Sequence, residues 1–343
     1  MQLSDFEYDL PDHLIAQDPP HERESSRMLV VNPRSETFQD DAFISFPERL
    51  RAGDLLVLNN TRVFPARLFG NSDTGARVEI FLVNKVSELR WEALARPARR
   101  LKEGKVIKFS PDLKGTISEN LTEGRVVIQF DFVGEFDEIL SRVGRTPLPP
   151  YIKRDFGGID DDRDRYQTVY ARESGAIAAP TAGLHFSDAV LDRIRAKGAE
   201  TAEITLHVGY GTFEPVRVDD LSQHSVLPER YEISEAAAVV LNSARREGRR
   251  IVAVGTTTTR TLESVITKHG DFVPGSGLAD LTITPGYKFT AVNSLLTNFH
   301  LPKSSLFVLV STFGGHELIM NAYRHAVASG YRFYSYGDCM FIE

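Results

Sequence analysis

The sequence predicts an α/β main domain, with three layers around a largely parallel sheet, and a small all-β barrel domain inserted in it. Short apolar or alternating runs separated by turn residues fill roughly 62–150, which is typical of a small barrel or sandwich. After about residue 165, helical patterns alternate with strand-like runs, which indicates a sheet with parallel strands. We therefore expect residues 1–61 and 151–343 to form the main domain and 62–150 the barrel.

The alternation in the main domain is clearest between residues 187 and 269. Ser187 and Ser234 stand where helix N-caps are expected, because helical periodicity with an early acidic residue follows each of them. The elements predicted here are helices over 187–197, 234–248 and 259–269 and strands over 201–208 and 250–254.

The composition restricts the class of protein. The chain has 343 residues, of which 42% are hydrophobic, enough to bury a sizeable core. No apolar run approaches the roughly 20 residues of a membrane-spanning helix, and the acidic N-terminal sequence is not typical of a signal peptide. Cys339 is the one cysteine, which excludes an internal disulfide and a thiolate metal cluster. We expect a cytoplasmic monomer that binds no membrane.

A short basic segment stands out against the net charge of −7. The net charge argues against non-specific binding of nucleic acids, but it leaves room for a local basic face. Within residues 96–108, Arg99, Arg100 and Lys102 are candidates for contacts with phosphates. An ordinary solvated surface explains the same composition.

The segment 294–315 carries the densest set of polar side chains next to an apolar run. Asn298, His300 and Lys303 precede the run 306–310, so a polar loop is attached to a buried element. Binding and catalytic residues are often placed on such loops by a rigid scaffold. The alternative is that Ser304 or Ser305 only caps a buried helix, which explains one serine and not its neighbours.

A strand, a glycine, four threonines and a helix follow one another in 250–268. The candidates for binding an anion here are Gly255, Thr256, Thr257 and Arg260, because N–H groups at a helix N-terminus attract negative charge. A helix capped by threonine, with no ligand, is an equally good interpretation, since the second glycine and the lysine of a phosphate-binding loop are missing.

Two further segments place histidines in turns rich in glycine and threonine. The candidates are Thr181, Gly183 and His185 in 179–187, and His207, Gly209 and Gly211 in 205–216. Loops that leave the carboxyl ends of strands often bind ligands, although a single histidine is more often a packed structural residue. None of these histidines has the spacing of a zinc-binding helix, so we expect no metal.

The C-terminal segment 331–342 alternates aromatic and polar residues. Tyr336 is a candidate for stacking on a base or nucleoside, and Asp338 for contact with a sugar hydroxyl or a cation. The alternatives are the buried face of a strand and a turn-forming carboxylate.

Ordered sequence blocks extend along nearly the whole chain. They are FEYDLPDHLIAQDP, SSRMLV, GDLLVLNNTRVFPARL, PLPPYIKR, RYQTVYA, AAPTAGLHF, LHVGYGTFEPV, VGTTTTRTLE, PGYKF, LLTNFHLPKSS and RFYSYGDCM. Together they closely resemble the S-adenosylmethionine:tRNA ribosyltransferase-isomerase family of queuosine biosynthesis. The resemblance implies an α/β main domain that carries an inserted β-barrel.

The resemblance also implies the reaction. It is a transfer and isomerisation of the ribosyl group of S-adenosylmethionine, a co-substrate, onto 7-aminomethyl-7-deazaguanine at the wobble position of a tRNA. Epoxyqueuosine in tRNA, adenine and methionine are the implied products, and no metal is expected. Such a route needs a general base, an acid for the departing adenine and groups that bind the methionine carboxylate.

Roles for individual residues follow as hypotheses from the resemblance. His185, His207 and His300 are candidates for proton transfer, and the turn 255–260 for binding the methionine carboxylate or a phosphate. The strand near Asp338 is a candidate for flanking adenine or the deazaguanine, and Arg99, Arg100 and Lys102 are candidates for contacting tRNA phosphates. Asn60 and Asn293 stand where we expect Asp, which leaves open a family member that binds tRNA or a nucleoside with altered or lost catalysis.

Overall fold

The computed structural model describes residues 1–98, 101–154, 162–213 and 216–343, without the side chains of Glu123 and Phe213. Its strands are β1 (Arg27–Asn32), β2 (Thr37–Ala42), β3 (Leu55–Asn59), β4 (Thr61–Val63), β5 (Arg67–Ser72), β6 (Arg77–Lys85), β7 (Arg90–Arg96), β8 (Val106–Ser110), β9 (Leu113–Asn120), β10 (Arg125–Phe132), β11 (Glu173–Ala176), β12 (Glu200–Leu206), β13 (Glu229–Ile233), β14 (Ile251–Val254), β15 (Gly275–Ala279), β16 (Ser294–Asn298) and β17 (Cys339–Ile342). Its α-helices are α1 (Phe46–Arg49), α2 (Phe136–Val143), α3 (Asp162–Arg165), α4 (Asp188–Ala196), α5 (Glu235–Arg246), α6 (Thr256–His269), α7 (Ser305–Gly314) and α8 (His316–Ala328).

One sheet organises the main domain. In the described ranges its strand order is β15-β13-β12-β3-β14-β16-β17-β1-β2. The predicted α/β class is confirmed, but the sheet is mixed rather than largely parallel. β12, β3, β14 and β16 are parallel to one another, whereas β13, β15, β17 and β2 join neighbours in antiparallel pairs. The sequence shows the central βα alternation, and it does not reveal the antiparallel strands at the margins.

Side chains of the central strands alternate between two apolar layers. Leu55 and Val57 of β3 pack in the core that α5, α6, α7 and α8 cover. Leu56 and Leu58 point to the opposite core, which α1 and α4 cover. Because successive residues of a strand face opposite sides, a sheet that is apolar at every position must be covered on both faces. The three-layer arrangement predicted from the sequence follows from this pattern.

The inserted all-β domain is a closed barrel, as predicted. Its strand order is β10-β7-β6-β5-β8-β9, and every pair in it is antiparallel. α2 places Ile139 and Leu140 in the barrel core. β4, before the barrel, pairs with β11, after it, so the chain enters and leaves through one two-stranded connection. The division at residues 61–62 and 150–151 remains a prediction.

Two predicted helix starts are confirmed and one differs. Ser187 accepts a hydrogen bond from the Val190 N–H, and Ser234 accepts one from the Ala237 N–H, so both serines are N-caps. α6 begins at 256, three residues before its predicted start at 259, because Gly255 turns directly from β14 into the helix with φ +92°. A residue with a Cβ is strained in that conformation.

No helix in the described ranges has the length and the apolar character needed to cross a bilayer.

A buried carboxylate attaches the loop before β16 to α6. Glu263 is 0% exposed, and its oxygens accept hydrogen bonds from the N–H groups of Ala291 and Val292 at 2.9 and 3.0 Å. It also accepts from the Thr290 N–H and the Tyr287 hydroxyl. The carboxylate therefore satisfies N–H groups that no strand partner reaches.

We expect Glu263→Ala to lower the free energy of unfolding by about 3 kcal/mol, because it leaves several buried N–H groups unpaired. Urea denaturation measures this change. The exposed Glu235 at the start of α5 gives the control: Glu235→Ala removes only a helix-dipole interaction, so its loss stays below about 1 kcal/mol. Equal losses in the two variants would contradict this account of Glu263.

Candidate functional site

Two adjacent chambers lie at the carboxyl edge of the parallel strands. The first chamber is lined by Tyr151, Tyr166, Ala178, Ala179, Pro180, Thr181, Ala182, Val208, Thr212, Gly255, Thr256, Thr257, Thr297, Asn298, Phe299, His300, Leu306, Tyr334 and Ser335. The second is lined by Thr212, His224, Val226, Glu229, Thr256, Thr257, Arg260, Leu281, Thr282, Ile283, Ser305, Leu306 and Leu309. They share Thr212, Thr256, Thr257 and Leu306. Gly211, Lys303 and Ser304 line an adjoining opening.

Aromatic side chains form much of the wall of the first chamber. Tyr151 and Tyr334 meet edge to face, with ring centroids 3.8 Å apart, and the Tyr151 hydroxyl forms a hydrogen bond with the Ser335 hydroxyl. Phe299 and Tyr166 add apolar surface. Such walls suit a planar heterocycle, because aromatic rings stack on it or meet its edge.

Asn298 ends β16 and lines the first chamber, and the residue is only 2% exposed. Its Nδ2 donates to the Tyr334 carbonyl at 3.0 Å and lies 3.2 Å from His185 Nε2. Its Oδ1 has no hydrogen-bond partner among the described residues. The acceptor half of this amide is therefore available to a ligand.

His185 lies behind Asn298 and does not line either chamber. The imidazole is 3% exposed, and its Nδ1 is 3.0 Å from the Ser26 hydroxyl. Burial, with smaller contributions from Arg23 and Arg332, lowers the pKa of His185 to about 3. This geometry favours a role in positioning Asn298. Proton transfer by His185 remains a prediction, and a pKa near 3 fits poorly a base that works near neutral pH.

His300 lines the first chamber, and both sides of its backbone are fixed by tyrosines. Its N–H donates to the Tyr323 hydroxyl at 3.1 Å, and its carbonyl accepts from the Tyr8 hydroxyl. The imidazole Nε2 is 2.8 Å from the Thr297 hydroxyl, and burial lowers the pKa of His300 to about 3. Of the three candidate histidines, His300 is the one whose side chain reaches a chamber.

The N-terminus of α6 separates the chambers. Thr258 and Thr259 bond back to the carbonyls of Val254 and Gly255, so these two hydroxyls serve the helix. Thr257 differs, since its Oγ1 is buried and has no hydrogen-bond partner among the described residues. A free hydroxyl at a helix N-terminus, where N–H groups attract anions, matches the predicted anion site.

Arg260 and Glu229 form a buried ion pair in the second chamber, with 13% and 8% of their side chains exposed. The other Glu229 oxygen accepts from the Gly209 N–H at 2.8 Å. Burial raises the pKa of Glu229, while Arg260 and the Gly209 N–H oppose that rise. A charged pair of this kind can bind a zwitterion, because it offers one group of each sign.

The lining also contains two non-glycine residues with positive φ. Tyr334 has φ +73° and Lys303 has φ +55°. Tyr334 is fixed there by its N–H, which donates to Phe299, and by its carbonyl, which accepts from Gly337 and Asn298. Strained residues that the surrounding structure fixes in place cluster at functional sites. Ser304 also caps α7, accepting from the Phe307 N–H, so the capping interpretation of this segment holds alongside the functional one.

Several predicted site residues lie outside both chambers and the opening. His207 contacts the Thr61 hydroxyl and packs on Gly175, and Gly209 supports Glu229. A Cβ at Gly183 would clash with the Tyr170 hydroxyl, so the packing at this position requires glycine. Their catalytic or binding roles stay predictions.

The C-terminal candidates have structural partners. Asp338 accepts from the backbone N–H groups of Arg27 and Arg332, at 2.9 and 2.7 Å, which supports the turn-forming alternative. Tyr336 donates to Asp162 at 3.1 Å. Neither residue lines a chamber.

The two asparagines that depart from the expected pattern also lie outside the chambers. Asn293 accepts from the Ile251 N–H at 2.8 Å, at the opposite edge of the sheet, where β14 and β16 begin. Asn60 bridges Thr205 and Glu203 of β12.

In the barrel, Lys102 is exposed, whereas Arg99 and Arg100 lie outside the described residues.

The sequence did not single out Tyr151, Tyr166, His224 or Glu229, although all four line the chambers. Tyr151 follows the proline-rich connector and Tyr166 precedes β11. Neither lies in a glycine-rich turn after a strand, which is the pattern that predicts binding residues in the rest of the sequence. A search for tyrosines in segments next to domain junctions would have found them.

No group of three or more His, Cys, Asp and Glu side chains placed to bind a metal ion occurs in the part of the chain that the structure describes.

The fold and the chambers define an α/β protein with two cavities at the carboxyl edge of its sheet. Comparison with known proteins gives the family: the model described as "Queuosine biosynthesis protein" matches residues 3–342, and the chain belongs to this family.

The relatives agree along the full length. The S-adenosylmethionine:tRNA ribosyltransferase-isomerases of Syntrophotalea carbinolica and Symbiobacterium thermophilum are 47% and 50% identical over 344 residues, which cover 100% of this chain and of each relative. A crystal structure of S-adenosylmethionine tRNA ribosyltransferase from Thermotoga maritima, 33% identical, covers 99% of this chain and 100% of that one, with a TM-score of 0.57.

Because burial lowers the pKa of His185 and His300 to about 3, we expect both imidazoles to stay neutral from pH 8 to pH 5. Histidine 13C-labelled NMR measures this as constant Cε1 shifts, and a midpoint near pH 6.5 at either residue would contradict it. In the unfolded chain each titrates near 6.5, so the unfolded state binds more protons below that pH and stability falls as pH falls. The loss is about 2 kcal/mol per imidazole at pH 5.

Proposed function

We propose that this protein is an S-adenosylmethionine:tRNA ribosyltransferase-isomerase. It transfers and isomerises the ribosyl group of S-adenosylmethionine onto 7-aminomethyl-7-deazaguanine at the wobble position of a tRNA. The products are epoxyqueuosine in tRNA, adenine and methionine. Full-length relatives near 50% identity carry the name of this activity, which supports the proposal.

The single structural observation that supports it best is the pairing of the two chambers. An aromatic chamber suited to a base adjoins a chamber with a buried Arg260–Glu229 pair, and the N-terminus of α6 lies between them. S-adenosylmethionine has the same division, with a purine at one end and a zwitterionic amino acid at the other.

We assign the methionine part to the second chamber. Thr257 Oγ1 and the N-terminus of α6 bind its carboxylate, next to Arg260, and Glu229 lies within the same chamber for its ammonium group. Leu281, Ile283 and Leu309 offer an apolar wall for the methylthio group. In this assignment the ribose lies at the residues that both chambers share.

For the tRNA, the proposal rests on charge. Lys102 is exposed on the barrel, and Arg99 and Arg100 precede it in the sequence. Lysine and arginine side chains that neutralise phosphates give binding that weakens as salt rises. The identity of the modified base, a monomeric state and a cytoplasmic location belong to the same proposal.

A family member that binds tRNA or a nucleoside without normal catalysis is the second candidate. Its motivation was the absence of two expected carboxylates at Asn60 and Asn293. Since both residues lie outside the chambers and have backbone or strand partners, their identity gives this candidate little support.

Adenine release tests the proposed function. Purified protein is incubated with S-adenosylmethionine and a tRNA that carries 7-aminomethyl-7-deazaguanine, and the released bases are separated by chromatography. We expect adenine and methionine in equal amounts, with none above background when the tRNA carries guanine at that position. Binding of the precursor tRNA without adenine release would favour the second candidate, and S-adenosylhomocysteine as product would indicate a methyltransferase instead.

Thr257→Val tests the assignment of the methionine carboxylate. Because the Thr257 hydroxyl has no partner in the described chain, its loss should change the free energy of unfolding by less than about 0.5 kcal/mol. The KM for S-adenosylmethionine should rise about 10-fold, as expected for one hydrogen bond to a charged group.

The neighbouring Thr258→Val is the matched control. Thr258 donates to the Val254 carbonyl at 2.7 Å, so this variant should lose about 1 kcal/mol of stability and keep its KM. The opposite pattern in the two variants would remove Thr257 from the binding site.

A further inference from the structure

Three residues that line the first chamber, Asn298, Tyr166 and Thr257, carry a buried polar atom without a hydrogen-bond partner among the described residues. Asn298 Oδ1 is the one of these atoms that can only accept, since the other two are hydroxyls. The residue is 2% exposed, and Oδ1 has no hydrogen-bond partner among the described residues. A buried carbonyl oxygen without a partner costs free energy, so such atoms are rare unless a ligand or ion completes them. The hydroxyl of Thr297, its neighbour in β16, by contrast has a partner in His300 Nε2 at 2.8 Å.

The orientation of the amide is not arbitrary. The Tyr334 carbonyl can only accept a hydrogen bond, so the amide atom 3.0 Å from it must be the donor Nδ2. The same Nδ2 lies 3.2 Å from His185 Nε2. The Tyr334 carbonyl and His185 Nε2 therefore both lie on the Nδ2 side of the amide, so Oδ1 must point away from them.

His185 must be in one tautomer for this arrangement to work. Its Nε2 accepts from Asn298, so the ring proton is on Nδ1, which donates to the Ser26 hydroxyl at 3.0 Å. A protonated imidazole would donate from both nitrogens, so its Nε2–H would face the Nδ2 donor of Asn298. Neutral His185 is therefore a condition for the orientation of Asn298.

The surroundings of Oδ1 indicate what kind of donor it meets. Tyr151, Tyr166, Phe299 and Tyr334 surround the chamber with aromatic surface, which fits a planar ring. An acceptor at the edge of such a chamber selects a ring that carries an N–H donor, because an analogue without the donor leaves Oδ1 unpaired.

We propose that Asn298 Oδ1 recognises the exocyclic amino group of a purine-type base in the first chamber, and that His185 is the positioning residue that fixes the Asn298 amide. This inference rests on the function proposed above and identifies the chemical group of the bound base that the first chamber recognises. Two bases of that reaction carry such an amino group, the adenine of S-adenosylmethionine and the deazaguanine of the tRNA.

Equilibrium dialysis with free bases tests the proposal without requiring catalysis. One arm compares adenine with purine, which lacks the amino group, and the other compares 7-deazaguanine with 7-deazahypoxanthine. We expect a preference of 10-fold or more for the amino compound in one arm, which assigns the chamber to the corresponding base. No preference in either arm, or no binding of any base at millimolar concentration, overturns the proposal.

Single substitutions test which side chains cause the preference for the amino compound. Asn298→Leu has nearly the same shape without the acceptor, and we expect it to reduce the preference to about 1-fold. His185→Leu should have the same effect, because Asn298 then turns freely, whereas His185→Gln offers an amide oxygen to Nδ2 and should restore much of the preference. A full preference in Asn298→Leu overturns the role of Asn298, and one in His185→Leu overturns the positioning role.

The control is His316→Leu, which removes a half-buried imidazole at the start of α8, outside the chambers. It should leave the preference unchanged. Circular dichroism establishes which variants fold, and if His185→Leu does not, the pair Asn298→Leu and His185→Gln decides. Since dialysis reads binding alone, a protein that shows the preference but releases no adenine contradicts the proposed function and not this inference.

Discussion

The parallel pairing of four central strands is the constraint on which the site depends. β12, β3, β14 and β16 pair in register, so their carboxyl ends meet at one edge of the sheet. Residues that are far apart in sequence, such as Gly255 and Asn298, become neighbours there. The antiparallel β17 contributes from its opposite end, because the chain enters it at this same edge and brings Tyr334 to the chamber. Antiparallel pairing of β14 with β3 or β16 would have moved the turn at Gly255 to the far side of the sheet.

Burial at this edge separates polar side chains into two groups. Asp338 is buried, and the backbone N–H groups of Arg27 and Arg332 satisfy it, so it stabilises the turn before β17. At the same edge, Thr257 and Asn298 each have one buried polar atom without a hydrogen-bond partner among the described residues. A folded protein tolerates a few unpaired buried atoms where a ligand later completes them. The two groups differ in whether the polar atoms have hydrogen-bond partners within the described chain.

The sequence patterns predict more of the fold than of the candidate site. The barrel and the βα alternation followed from the hydrophobic periodicity, and the turn at Gly255 followed from residue types whose conformations are restricted. The marginal antiparallel strands and Glu229 left no local signal, because their places depend on pairing with distant segments. His185 was found through its glycine-rich turn, but the sequence does not show that its ring lies behind Asn298. Asn293 seemed adjacent to the site only because it is close in sequence, whereas the direction of β16 places it at the opposite edge.

Charge in the chambers is balanced in a way that suits a sulfonium substrate. Arg260 is paired with Glu229, and Lys303 at the opening is paired with Glu7 at 2.8 Å. His185 and His300 add no charge near neutral pH, since burial lowers the pKa of each to about 3. A ligand that carries a positive sulfur would be repelled from an unpaired cation in a site of low dielectric constant. Attraction of a polyanionic tRNA then has to come from outside the chambers, and the proposed contact with exposed Lys102 on the barrel would separate that task from binding of the sulfonium.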